Sequence, residues 1–176
     1  MMRLRNNNKG LTLVELITAT AILGVVALSA SAFMVAGART YNSVNYAVRL
    51  QSEAQIVMAQ LQEYTVDCST GIAWDSGEDT LYIVNDDTVH LFHYDATAQT
   101  LSYGTGTAAA TPLTASYLMA EHVTDMDVLL ENGKAEIMLQ MQRNNKTYDA
   151  TQIIALRNQP VVESRWDYLW YEINNP

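Results

Sequence analysis

Lys9-Gly10-Leu11-Thr12-Leu13-Val14-Glu15-Leu16 opens the stretch on which the reading of this chain turns. From Leu16 to Ala38 there follow 23 residues without a charge, rich in Ala, Val, Leu and Ile. As a helix rising roughly 1.5 Å per residue the run is about 35 Å long, enough to cross a bilayer core of about 30 Å. Ahead of it stand Arg3, Arg5 and Lys9 with no acid among the first ten residues. Basic flanks stay in the cytoplasm, which places everything after Arg39 on the outer side. Glu15 disturbs this picture. A carboxylate in an apolar segment costs about 2.5–3.5 kcal/mol near the membrane centre and less near an interface. An anchor alone gives it no purpose.

The order of features resembles the type IV pilin and type II secretion pseudopilin superfamily: a short basic leader ending in Gly10, then Leu11-Thr12-Leu13, Glu15 as the fifth residue after the glycine, and an apolar run. The resemblance implies a role for each matching residue. Gly10 precedes the bond cut by a membrane prepilin peptidase, and Leu11 becomes the N-methylated new N-terminus. Glu15 faces the amine of Leu11 in a neighbouring subunit of a helical filament. Opposite charges in low dielectric relieve each other's desolvation, so that pairing gives the carboxylate a purpose and sets axial register. It also implies an assembly platform protein and its ATPase as partners. Two other readings of the first forty residues stay open. Ala30-Ser31-Ala32 has the small-x-small form of a signal peptidase site, which would release a secreted acidic domain starting at Phe33; an uncleaved anchor would keep Met1. Many major pilins carry a proline along this helix. None occurs here before Pro112, which favours a minor subunit.

Working outward, 176 residues allow one globular domain plus an appendage. A hydrophobic fraction of 49% excludes a disordered chain. Residues 39–176 hold seven of the ten bases and eighteen of the nineteen acids, a net charge of −11. Such a body argues against bulk electrostatic binding of nucleic acid or anionic lipid. A single cysteine, Cys68, excludes an intramolecular disulfide.

The spacing predicts one long helix from about Leu11 to about Thr65. No glycine or proline falls between Arg39 and Val66, and Val44, Val48, Ala54, Val57, Met58, Leu61 and Thr65 recur at short steps. Asp67, Ser69 and Gly71 end it. Strands follow at Thr80–Val84 and Thr88–Tyr94 around Asn85-Asp86-Asp87, and at Thr100–Tyr103. Gly104–Pro112 reads as a small-residue loop. Val123–Leu130 and Ala135–Gln142 flank Asn132-Gly133, a strong hairpin signal, and Tyr148–Leu156 is a last strand. The expected fold is α+β, a helix laid against a mostly antiparallel meander. Its parts are a leader (1–10), a membrane or filament-core helix (11–38), an amphipathic continuation (39–66) and a β-rich extracytoplasmic head (67–176). The element order, with Leu118-Met-Ala-Glu-His-Val123 leading into a strand, is similar to minor pilins of the J/W type. Secretion, DNA uptake, adhesion and motility remain open as the machine such a subunit serves.

Chemistry is sparse. His90 and His93, three apart on a strand, point to opposite faces and cannot share an ion without a bulge. Asp75, Glu78 and Asp79, and Asp86 with Asp87, lack the spacing of a calcium loop and read as solvated turn acids. Nothing suggests a cofactor, a metal or a catalytic set, so an enzyme is not expected. At the C-terminus Trp166-Asp-Tyr-Leu-Trp-Tyr171 places Trp166, Leu169 and Trp170 on one face if helical. They either pack on the sheet or dock a partner.

Overall fold

The computed structural model describes residues 12–107 and 113–174. The chain divides into two units between Val44 and Asn45. Helix α1, Leu13–Val66, runs through that boundary, and the expected long helix is present within the described residues. In the first unit every residue of α1 up to Asn42 is exposed.

The second unit is α+β. The last part of α1 joins nine strands, β1 (Gly71–Asp75), β2 (Thr80–Asn85), β3 (Thr88–Asp95), β4 (Thr100–Thr107), β5 (Tyr117–Glu121), β6 (Val123–Glu131), β7 (Lys134–Arg143), β8 (Lys146–Ala155) and β9 (Val161–Glu163), and a C-terminal helix α2 (Trp166–Asn174). The strands form two sheets, not the single meander expected: a six-stranded one in the order β5-β4-β3-β2-β1-β9 and a three-stranded one in the order β6-β7-β8. All pairs are antiparallel except β1 with β9. The chain passes from one sheet to the other at His122, whose φ of 65° lies in the left-handed region.

Burial explains the layering. In β7 Ala135, Ile137, Leu139 and Met141 are buried and alternate with polar or half-exposed neighbours, the period of a sheet with one covered face. β1 is buried at all five positions, because the large sheet is covered on both sides. On one side Leu50, Ala54, Val57 and Leu61 of α1 share a core with Ile72, Phe92 and Leu101 and with Ile137 and Leu139 of the small sheet. On the other, Ala73, Val84, Val89 and Leu91 pack with Leu169 of α2.

The buried stripe of α1 is Leu50, Ala54, Val57, Met58, Leu61 and Thr65. The expected stripe included Val44 and Val48, which are exposed, and missed Leu50. The reason is angular. Val48 to Ala54 is six residues, about 600° of helical rotation, which misses the common face by about 120°. Turns follow local chemistry more closely. Asn132 (φ 53°) and Gly133 (φ 70°) link β6 to β7 with both residues at positive φ, as a two-residue hairpin of matching twist requires. Asn144 (φ 48°) and Asn145 (φ 60°) repeat the device between β7 and β8. β4 continues to Thr107, into the segment expected as loop; the remainder of that loop, 108–112, lies outside the described residues.

Candidate functional site

The N-terminal end of α1 is built as a capping box. Thr12 is the residue before the helix, and its backbone N–H donates to Glu15 Oε2 at 3.0 Å. The Thr12 hydroxyl donates to the same oxygen at 2.9 Å, while the Glu15 N–H donates to Thr12 Oγ1 at 3.3 Å. Side chains thereby satisfy backbone donors that the first helical turn leaves without partners, and the carboxylate sits at the positive end of the helix dipole. Glu15 therefore has a structural task within its own chain. Both residues are exposed, and among the described residues Glu15 forms no ion pair. Gly10 and Leu11, the expected cleavage and methylation positions, lie outside the described residues.

Beyond the cap, α1 shows the chemistry of a membrane span. Leu23 is 71% exposed and Phe33 81%, and no residue of the most apolar stretch is buried within the chain. The hydroxyls along it are already occupied. Thr18 donates to the Val14 carbonyl at 3.0 Å, Ser29 to Val25 at 2.8 Å, Ser31 to Ala27 at 2.8 Å and Thr40 to Ala36 at 3.0 Å. A hydroxyl bonded one turn back asks nothing of hydrocarbon, which is how serine and threonine are tolerated in lipid. The helix is long and apolar enough to cross a membrane.

Elsewhere the chemically suggestive residues serve the fold. His90 Nδ1 lies 2.8 Å from the Tyr103 hydroxyl, with the Tyr64 ring centroid at 4.6 Å. His93 Nδ1 lies 2.9 Å from the Thr80 hydroxyl. The two histidines have separate partners, and no cluster of metal-binding side chains occurs among the described residues. Asp75 is buried, accepts the Gly77 N–H at 3.0 Å and approaches Arg165 at 3.8 Å; Glu78 accepts the Tyr82 hydroxyl at 3.0 Å. Cys68 is buried and free, its thiol pushed up to about 11 by burial, so it stays protonated near neutral pH.

Burial holds His90 below its ordinary pKa of 6.5. The folded state then favours the neutral ring, and the unfolded chain takes up the proton first as pH falls. The stabilising contribution is therefore complete above the unfolded pKa and is lost as pH drops through the lower folded value. The His90 ring resonances should titrate below the ordinary value of 6.5, and His90→Phe should flatten the acid side of the stability profile between that ordinary value and the lower folded one. A His90 midpoint at or above 6.5 would contradict this.

The C-terminal aromatic segment is helical, and its face is divided. Leu169 is fully buried, and a Cβ on Gly71 would meet its Cδ1 at 2.5 Å, so a side chain at that position would have to displace the end of Leu169. Trp166 stacks on Tyr82 with centroids 4.8 Å apart. Trp170 is 40% exposed. Trp166 and Leu169 thus spend their surface on the chain's own sheet. Trp166→Ala should lower stability by about 2 kcal/mol through lost packing and stacking, read as a shifted denaturant midpoint. An unchanged midpoint would return Trp166 to the partner-docking reading.

With this geometry in view, comparison with known proteins is informative in one place. Residues 5–31 match the family described as the prokaryotic N-terminal methylation motif. Neither the curated proteins nor the solved structures give a match to the chain. The matched span contains Gly10, Leu11, the Thr12–Glu15 cap and the first sixteen residues of the apolar run. It is the motif of structural subunits, not of catalysts, and it implies processing by prepilin peptidase and assembly in a filament. The chain carries, at residues 5–31, the N-terminal methylation signature of the type IV pilins and pseudopilins.

Proposed function

We infer that this protein is a minor subunit of a helical filament of the type IV pilus, competence pilus or secretion pseudopilus kind, made as a membrane precursor and trimmed after Gly10. The observation that carries the reading is the coincidence of the methylation motif with an apolar stretch of α1 in which none of the described residues is buried. Apolar surface gains about 25 cal/mol per Å² when removed from water, so this helix requires lipid first and neighbouring helices afterwards. Methylated Leu11 supplies the amine that Glu15 of the next subunit meets. A platform protein draws the helix from the membrane, and the acidic β-rich head forms the outer surface or tip. The lack of a helix-breaking proline and the J/W-like element order support the minor assignment.

The secreted-domain alternative has less to stand on. Ala30-Ser31-Ala32 lies in the middle of α1, with the Ser31 hydroxyl bonded to Ala27, and α1 continues through Ala32. A protease needs extended backbone there. Shearing intact cells and quantifying the chain in the sheared filaments tests the assignment. The expected result is a trace component beside an abundant major subunit. Its absence from filaments, with release into the medium, would contradict the reading.

A further inference from the structure

The large sheet ends in β5, a five-residue strand that joins β4 across a bulge at Leu101/Ser102 and carries one charge, Glu121, at its end. Among the described residues β5 pairs only with β4, so its outer backbone groups have no strand partner there. Such edges are usually guarded by shortness, proline, charge or local capping. β9 is three residues long and follows Pro160. On β6 the Val128 N–H donates to Asp127 Oδ1 at 2.9 Å. β8 carries Lys146 and Asp149. β5 reads Tyr117-Leu118-Met119-Ala120-Glu121, with no proline and no basic residue, and Leu118 is 58% exposed.

Beside that edge runs a groove with the head-proximal part of α1 as its other wall. One cavity of ≈ 450 Å³ is lined by Glu53 and Ile56 of the helix and by Leu118 and Glu121 of the strand. A second, of ≈ 370 Å³, shares Ile56 and Leu118 and ends on Tyr64 and Tyr117. Ile56 is itself 58% exposed. The groove is therefore apolar in its middle, phenolic at one end and acidic at the other. No lysine or arginine lines either cavity, and among the described residues neither Glu53 nor Glu121 has an ion-pair partner.

We propose that this groove receives an extended segment of a partner protein, which adds a strand to β5, seats apolar side chains between Ile56 and Leu118, and brings lysine or arginine to Glu53 and Glu121. Main-chain hydrogen bonds to an edge supply affinity and the alternate side chains supply specificity. Charge selects the occupant. A second copy of this chain brings a head of net charge −11 and another Glu121 to the edge, so the fitting partner is a different, basic one. The inference concerns the second unit alone and does not depend on filament assembly.

The test uses the full chain in neutral detergent and two synthetic peptides, Lys-Lys-Val-Thr-Val-Thr-Val and Glu-Glu-Val-Thr-Val-Thr-Val, at millimolar concentration. Amide hydrogen exchange is followed over residues 116–122. The lysine peptide should slow exchange there at least tenfold, and the glutamate peptide should not. The double variant Glu53→Lys, Glu121→Lys should reverse that preference. Should that variant fail to fold, the two peptides on the unmodified chain still decide the matter. No slowing with either peptide would overturn the proposal, as would slowing at β6, β8 or β9 instead, or equal slowing by both peptides. Protection that rises with protein concentration without peptide would assign the edge to a second copy and also overturn it.

Discussion

Glu15→Gln should abolish filament incorporation almost as completely as Glu15→Ala, while both precursors are still trimmed. The pair of variants separates two tasks that coincide at one side chain. Within its own chain Glu15 closes a capping box on Thr12: its carboxylate accepts two hydrogen bonds from the threonine, and its backbone N–H donates one to the Thr12 hydroxyl oxygen. Glutamine performs that task nearly as well, since its carbonyl oxygen accepts the same bonds. Alanine does not, and losing the box costs about 1 kcal/mol of local helix stability. The proposed second task, meeting the methylated amine of a neighbouring subunit, needs a negative charge. In low dielectric an uncompensated ammonium is penalised by several kcal/mol, far more than the cap is worth. Quantifying each variant in sheared filaments, with an N-terminal mass to confirm trimming, reads both tasks. Normal assembly of the glutamine variant with loss in the alanine variant would reduce Glu15 to a helix cap.

Gly10→Val should leave the chain ten residues longer, in the membrane and out of filaments. A protease grips extended backbone at the bond it cuts, and glycine adds no side chain to that approach. A β-branched residue brings bulk on both sides of Cβ. Arg3, Arg5 and Lys9 would then stay attached and hold the N-terminus in the cytoplasm. Without a free amine at Leu11, the partner for Glu15 is missing as well. A membrane fraction of unshortened chain, and no chain in sheared filaments, is the expected outcome. Normal trimming of the valine variant would move the cut away from Gly10.

Much of this architecture was legible from residue order, and the gaps have physical causes. The long helix was readable because 23 uncharged residues admit little else and no breaker follows before Val66. The hairpins at Asn132-Gly133 and around Asp86 announced themselves through turn chemistry. β1 escaped notice because Gly71-Ile-Ala-Trp-Asp75 is buried on both faces and shows no alternation. The division into two sheets hangs on one left-handed residue, His122, a conformation no pattern in side-chain polarity records. Val48 obeys the three- and four-residue steps locally, but the angle accumulated over successive turns carries it off the buried face.

At the candidate site the outcome was similarly mixed. The glycine, the leucine and the glutamate stood out as a motif, and the match over residues 5–31 supports that reading. The cap did not, although Thr-x-x-Glu before an apolar run is a visible helix-start signal. The C-terminal aromatics posed the opposite problem. Helical spacing put Trp166, Leu169 and Trp170 on a common face, but which surface that face meets depends on Gly71, nearly a hundred residues away. The edge of β5 was invisible because its strand was read only as an approach to β6.

The central claim is that this chain is trimmed to expose a methylated N-terminus ahead of a capped, membrane-compatible helix. The most direct test is the intact mass and first residue of the protein purified from its own membranes. The expected result is a chain beginning with N-methylated Leu11. A chain beginning at Phe33 in the medium would make it a secreted domain, and retention of Met1 would leave an ordinary anchor; either result contradicts the account.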